Sequence, residues 1–509
     1  FVGMENGYRR LLSYFISNKW VAFSILGFCI IVILSVSKIL KSELAPLEDR
    51  SQVSIRTTAP EGATFEYVRD YTSEISLIAD SVVPERESNI TRVSGSTGNI
   101  NIILPDIRER ERSQMEIADA LSDAVRNETA GRAFVQQQSS FGGRRGGMPV
   151  QYVLQATNLD KLREFIPPFM EKVEQSPVFR MSDVNLKFTK PELQIHLDRD
   201  KAALLGVNTR DIAQTLQYAL SGQRMGYFYM NGKQYQILGE INRQQRNTPL
   251  DLRSIYIKNA AGDMIQMDNL VKLEEAVAPP QLYRYNRFSS ATVSAALAPG
   301  YTLGDGLNEM DRISQEVLDE TFRTALSGES KEFRESSSSL IFAFGLAIVL
   351  IFLVLAAQFE SFKDPLIIMF SVPLAVGGAL IFMYFAGVTM NIFSQIGIIM
   401  LIGLVAKNGI LIVEFANQRQ DGGTPKLEAV IGASVQRLRP ILMTSFSTIL
   451  GMLPLVFANG EGANGRIAMG VAVVGGMLVS TLLTLFVIPT MYIYMATDRK
   501  AHEQKNKNI

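Results

Sequence analysis

The chain has 509 residues, and its 50 lysines and arginines are balanced by 50 aspartates and glutamates. That length implies several domains, and the zero net charge points to no polyanionic partner, which sets nucleic acid aside. Cys29 is the only cysteine, and His196 and His502 are the only histidines, so an internal disulfide is impossible and a His/Cys metal site or a Ser/His/Asp triad lacks its residues; the chain is read as a non-enzyme. The sequence opens at Phe1 without the charged region, short apolar stretch and cleavage site of a signal peptide, and is read as starting at an internal point with residues upstream missing. Residues 8–20 (YRRLLSYFISNKW) mix basic and aromatic side chains and are expected to lie along the inner membrane interface.

Six apolar segments reach the roughly 20 residues that a spanning helix needs: 20–37, 340–357, 365–388, 390–416, 440–458 and 467–496. Lysines and arginines in the short connections set the orientation. Arg9, Arg10, Lys19, Lys363, Arg419, Lys426, Arg437, Arg439, Arg499, Lys500, Lys505 and Lys507 all fall on the side of the N-terminus, and only Arg466 falls in the short loops opposite. Both termini are therefore placed in the cytoplasm, and the charged stretch 41–339 outside.

That stretch alternates strand and helix patterns. Strand 51–58, helix 64–81, strands 89–93 and 99–104 and helix 113–127 form one α/β unit. Strand 150–155, helix 159–175 and strands near 184–188 and 192–197 open a second, which strand 291–297 and helix 303–318 complete. Strand–helix–strand units with antiparallel returns suggest split βαβ layers, an α+β arrangement repeated at least twice. Between them, Asn231-Gly232 lies within alternating apolar residues, a hairpin signal, and a second hairpin is read over 254–273. These mark an inserted β-rich module. The Gly-rich run 141–148 (FGGRRGGM) lacks the strand–helix setting of a phosphate cradle and is read as a flexible loop.

The apolar segment 390–416 (MNIFSQIGIIMLIGLVAKNGILIVEFA) carries Lys407. A mid-span lysine costs about 2.5–3.5 kcal/mol on insertion scales, so it either reaches for an interface or pairs with a carboxylate on an ion or substrate path. No carboxylate lies at comparable depth in another apolar segment of this chain. Glu414 is on the same helix face, about 10 Å along the axis, too far for direct pairing and near enough to Arg419 to read as an interfacial anchor. In 440–458, Thr444, Ser445, Ser447 and Thr448 can each bond their own helix backbone. Thr444 also shares a face with Arg437, which makes a polar stripe running inward from the cytoplasmic edge, although Arg437 and Arg439 read equally as positive-inside anchors. The pairs Gly377-Gly378 and Gly475-Gly476 suit close helix packing.

Residues 403–415 (GLVAKNGILIVEF), 437–454 (RLRPILMTSFSTILGMLP), 353–364 (LVLAAQFESFKD) and 199–219 (RDKAALLGVNTRDIAQTLQYA) closely resemble signature segments of resistance-nodulation-division transporters. The nearest class is the hydrophobe/amphiphile multidrug efflux pumps of Gram-negative inner membranes, and the resemblance covers the C-terminal half of such a protein. It implies a six-helix membrane bundle (1–40 and 339–498, with a cytoplasmic tail 499–509). It also implies ferredoxin-like periplasmic porter subdomains (41–148; 149–220 with 280–338) and a funnel-side docking insert (221–279). Lys407 matches the family's relay lysine and Thr444 its relay threonine, while Arg437 matches an arginine on the cytoplasmic stretch of the proton path; Asn408 is grouped with them. Their acidic partners belong to the other half, absent here. No cofactor is implied beyond the proton-motive force. The implied partners are that N-terminal half, two further copies in a homotrimer, a periplasmic adaptor, an outer-membrane channel and lipophilic small-molecule substrates. The short polar stretch 93–101 stands where many such pumps have a Phe-rich loop, so no pocket residues are carried over. A heavy-metal exporter of the same superfamily and a non-transporting membrane protein of the same fold are the alternatives.

Overall fold

The structure, a computed structural model, describes residues 2–126, 128–137, 147–242, 252–253, 255–279, 281–460 and 462–497. Most of the expected loop 141–148 and all of the tail 499–509 lie outside the described residues.

Helices α1 (Val2–Ser17) and α2 (Lys19–Ile39) open the chain. Tyr8, Leu12 and Ile16, four residues apart, bury one face of α1, and the Tyr8 hydroxyl donates to the Leu485 carbonyl at 2.6 Å. Arg9 and Arg10 stay exposed on the other face.

Next come β1 (Gln52–Thr58), α3 (Phe65–Val82), β2 (Ser88–Ser94), β3 (Thr97–Ile103), α4 (Gln114–Val125) and β4 (Arg132–Gln137). Their sheet is antiparallel in the order β2-β3-β1-β4. Val53 and Ile55 point inward at period two and face Ile102 and Ile100 of β3. Tyr71, Ile75 and Ala79 of α3 and Ile117 and Leu121 of α4 close that core. Ser113 and Glu116 form a reciprocal capping box at the start of α4. Strand β4 was not predicted, because Ala133-Phe134-Val135 is too short an apolar run to show a period.

A second layer begins with β5 (Val150–Ala156), α5 (Leu159–Gln175) and β6 (Phe179–Val184). The chain then leaves it for β7 (Lys190–Leu197), α6 (Arg199–Leu204), α7 (Thr209–Leu220), β8 (Gln223–Met230), β9 (Lys233–Gly239), β10 (Tyr256–Lys258), β11 (Met264–Gln266) and β12 (Val271–Ala278). Pro60–Ala63 and Leu186–Leu282 make a compact unit of their own, whose core includes Ile212, Ile257, Met267 and Leu270. Asn231 and Gly232 close the β8–β9 hairpin with φ of 52° and 73°, the backbone that a two-residue I′ turn requires. The second expected hairpin is shorter than read: β10 and β11 pair alone, and Val271 instead starts a strand whose partner is β7. The second layer resumes with β13 (Tyr283–Tyr285), β14 (Phe288–Leu297), α8 (Leu303–Val317) and β15 (Arg323–Leu326). Its sheet runs β13-β14-β5-β15, with β6 also on β14.

The remaining helices are α9 (Gly328–Phe359), α10 (Lys363–Met369), α11 (Ser371–Phe385), α12 (Ile392–Asp421), α13 (Lys426–Val456) and α14 (Ala463–Met495). Among the described residues, six helices are long and apolar enough to cross a membrane: α2, α9, α10–α11 taken together, α12, α13 and α14. Two run well beyond their apolar stretches. Helix α9 starts 12 residues before the expected 340, where the Ser330 hydroxyl accepts from Gln151 N–H at 2.8 Å and donates to Pro149 O at 3.0 Å. Helix α13 begins at Lys426 and carries Pro440 inside it; hydropathy misses its first turns because they are charged, yet Ala429, Val430 and Ala433 are buried there. The break at Phe370 follows from Pro373, which has no N–H for the Met369 carbonyl four residues back.

Helix α14 is the centre of the bundle, with 72% of its apolar window buried against 6% for α9. Small residues let it approach its neighbours. A Cβ on Gly475 would stand 2.3 Å from Phe382, and one on Gly378 of α11 would stand 2.5 Å from Val479.

Candidate functional site

The capping box of Asn391 and Ser394 starts α12, and 15 residues later Lys407 emerges exposed. Among the described residues its ammonium makes no salt bridge. It shares an open helix face with Ile396 and Met400, and Met443, Phe446 and Leu450 on α13 are likewise exposed. An uncovered lysine within an uncovered apolar face is costly in hydrocarbon.

Asn408 points the other way. It is buried, and its amide donates to Ser445 Oγ at 3.3 Å, while Thr481 of α14 bonds the same hydroxyl at 3.2 Å. This trio ties α12, α13 and α14 together; measured inter-helical hydrogen bonds of this kind average about 0.6 kcal/mol. The Asn408–Ser445 bond also brings Lys407 and Thr444, one residue back on each helix, to the same level. Thr444 is half-buried, and its hydroxyl donates to the Ile441 carbonyl at 3.2 Å.

Arg437 lies nearer the basic end, beside α12. Its guanidinium carbon is 4.5 Å from the centre of the Phe415 ring, with Arg419 at 5.9 Å from the same ring. The buried Arg437 Nε has no hydrogen-bond partner among the described residues. The stack supplies a cation–π attraction and fixes the guanidinium plane against α12. The structure thus sets Lys407 level with Thr444 and places Arg437 beside Phe415, about two turns farther toward the basic end on α13, and turns Asn408 into the bundle. Phe415 and Thr481 were not singled out from sequence, since an aromatic and a hydroxyl are ordinary in an apolar helix.

A second polar cluster lies at the basic end. The buried Asp364 carboxylate accepts from Asn417 Nδ2 at 3.0 Å; the Tyr492 hydroxyl donates to Asn417 Oδ1 at 2.5 Å and accepts from Gln420 at 2.6 Å. Lys426 donates to the Ile493 and Ala496 carbonyls at 2.6 and 2.5 Å, a favourable place for a cation at the end of α14. Asn417→Ala should lower the unfolding free energy by about 1–3 kcal/mol, because it withdraws a donor from a buried carboxylate. Thermal unfolding of the purified protein reads this, and an unchanged midpoint would show the cluster to be dispensable.

Between the two α/β layers is a cavity of about 450 Å³, walled by Val125 and Phe134 of the first and Met181 and Leu297 of the second, with Glu43 and Leu44 of the linker. The compact β-rich unit holds another, of about 520 Å³, lined mainly by charged groups such as Asp198, Lys201, Asp268 and Glu275.

The profile described as the AcrB/AcrD/AcrF family matches residues 1–496. An uncharacterized transporter of Haemophilus influenzae is 31% identical over 507 residues, which are 97% of this chain and 49% of that protein. The chain spans about half the length of the curated relative it matches.

Proposed function

Because the chain belongs to the AcrB/AcrD/AcrF family, we propose that it is half of a proton-driven exporter of amphiphilic compounds. The observation that carries this reading is Lys407, exposed on the open apolar face of α12. In this reading a second membrane bundle covers that face and brings carboxylates to the lysine. Protonation of those carboxylates releases Lys407, and Thr444 and Arg437 lie along the route by which the proton leaves. Such a local change of charge biases the α/β layers among states that admit, hold and expel substrate. The proton-motive force is the only energy source, and no cofactor enters.

In the same reading the two layers are ferredoxin-like porter subdomains in the periplasm of a Gram-negative cell, and the bundle lies in its inner membrane. The sheet order β2-β3-β1-β4 with a helix after β1 and after β3 supports this. The compact β-rich unit serves docking. Its β8–β9 hairpin leaves Tyr229 and Leu238 exposed, which suits contact with another copy in a trimer or with the adaptor and channel of an envelope-spanning complex.

Cells producing the whole transporter should accumulate less of a lipophilic dye than cells carrying an empty vector. A protonophore should erase that difference, whereas ATP depletion with the proton gradient maintained should not. Efflux that survives the protonophore and stops with ATP would overturn the reading.

A further inference from the structure

Four residues that follow the first span hold two helices by their starts. Residues 41–44 run beside the loop 387–391 that leads into α12, and Ser42 and Met390 form a parallel bridge there. Met390 N–H donates to Lys41 O at 2.8 Å, Glu43 N–H to Met390 O at 3.1 Å, and Ile392 N–H to Leu44 O at 3.2 Å. The same residues also hold the start of α8. Gly304 N–H donates to Ser42 O at 3.2 Å, and the Lys41 ammonium donates to the Gly300 carbonyl. A Cβ on Gly304 would itself stand 3.2 Å from the Ser42 oxygen, so α8 comes close only because that residue is glycine. One short strand thus joins the second α/β layer to the helix that carries Lys407.

Side chains lock this clip through a single carboxylate. The Thr389 hydroxyl donates to Glu43, Asn391 Nδ2 donates to Thr389 Oγ1 at 3.1 Å, and Asn391 Oδ1 accepts from Ser394 N–H at 3.0 Å. Asn391 and Ser394 are fully buried, so the chain of bonds runs from Glu43 into the cap of α12. Glu43 is half-buried and makes no salt bridge among the described residues. It also borders the cavity between the α/β layers, from which a proton can reach it. An ionised carboxyl in this position loses hydration and gains no cation, whereas a protonated one is a neutral group that the clip can keep. We propose that Glu43 is a proton-operated latch: neutral, it keeps the clip shut and the starts of α8 and α12 on one strand; ionised, it is drawn to water and lets the clip open. The latch stands on this geometry, and only its effect on Lys407 rests on the exporter reading above.

Burial pushes the Glu43 carboxyl above the usual carboxylate range, and the Thr389 hydrogen bond partly opposes this. The closed clip therefore binds the proton more tightly than an open one in which Glu43 reaches water. By linkage, the proton favours the closed form, and that preference is lost as pH rises through the raised value. The charged and titratable groups around Glu43 are Lys41, held on Gly300, and Asp119 and Arg126 of α4. Arg180 of β6, Tyr301 from the loop before α8 and Glu329 of α9 complete the set; the α12 side offers only the neutral Thr389, Asn391 and Ser394.

The test is amide hydrogen exchange of the purified whole transporter in lipid nanodiscs, followed for segments 40–45 and 388–393. Rates are divided by those of unstructured peptides of the same sequences at the same pH, which removes the chemical pH dependence of exchange. Protection of both segments is expected to be about tenfold greater at pH 5 than at pH 8, the effect of one unit of difference between the closed and open forms. Glu43→Gln, a neutral isostere, should protect both segments equally at the two pH values. Thr389→Val removes the bond that favours the ionised form, so the upper end of the profile should move to higher pH. Flat protection in the wild type, or a glutamine variant that keeps the wild-type profile, overturns the proposal. If the glutamine variant does not fold, a valine variant with an unmoved profile overturns it instead. Efflux that survives a protonophore alongside a pH-dependent clip would refute the exporter reading alone, and proton-driven efflux with a flat clip would refute the latch alone.

Discussion

Replacing Lys407 with alanine is expected to reduce efflux to that of cells without the transporter, while the amount in the membrane and the assembly state stay unchanged. The two halves of this result have separate causes. The side chain is exposed and bonds nothing among the described residues of its own bundle, so its loss removes no packing from the α12–α13–α14 core. An unpaired mid-span lysine costs about 2.5–3.5 kcal/mol on insertion scales, so a cheaper residue would serve if the ammonium had no role. Lys407→Arg should also fail, because a guanidinium is planar, bidentate and never deprotonated, whereas an ammonium is a compact point charge. Drug-susceptibility assays with membrane immunoblots read both halves. Full efflux by the alanine variant would remove Lys407 from the mechanism.

Gly476→Leu is expected to prevent the protein from accumulating in folded form. A Cβ at that position would stand 2.2 Å from Leu401 Cδ2 of α12 and 2.9 Å from the Ala375 carbonyl of α11. The leucine could swing aside but the backbone carbonyl could not, so three central helices would have to separate. Overpacking costs about 1–3 kcal/mol where side chains can adjust, and more is expected here. Gly451→Leu on α13 is the control, since nothing lies within 4 Å of its Cβ position. The yield of monodisperse protein in detergent distinguishes the two, and equal yields would show that α11 and α12 pack on α14 more loosely than their geometry implies.

Much of this was legible wherever local chemistry decided the outcome. The six apolar stretches and the Asn231-Gly232 turn each act through neighbours in sequence. Lys407 could be recognised by its cost alone, but the side of α12 on which it emerges depends on how α12 meets α13 and α14. The charged start of α13 was hidden, because hydropathy averages away the buried Ala429, Val430 and Ala433. The partner of Val271–Ala278 could not be read either, because β7 lies more than 70 residues away and the nearer β11 offered an equally good local match. Glu43 is the clearest case. It stood out in no local pattern, because its hydrogen-bond partner, Thr389, lies 346 residues later.

The central claim is that proton movement and substrate movement are obligatorily linked through Lys407. The direct measurement uses proteoliposomes of the whole transporter with a pH-sensitive dye trapped inside and a lipophilic substrate gradient imposed across the membrane. The account predicts a proton flux opposite in direction to the substrate, absent with Lys407→Ala. Substrate movement by the wild type with no accompanying proton flux would contradict it.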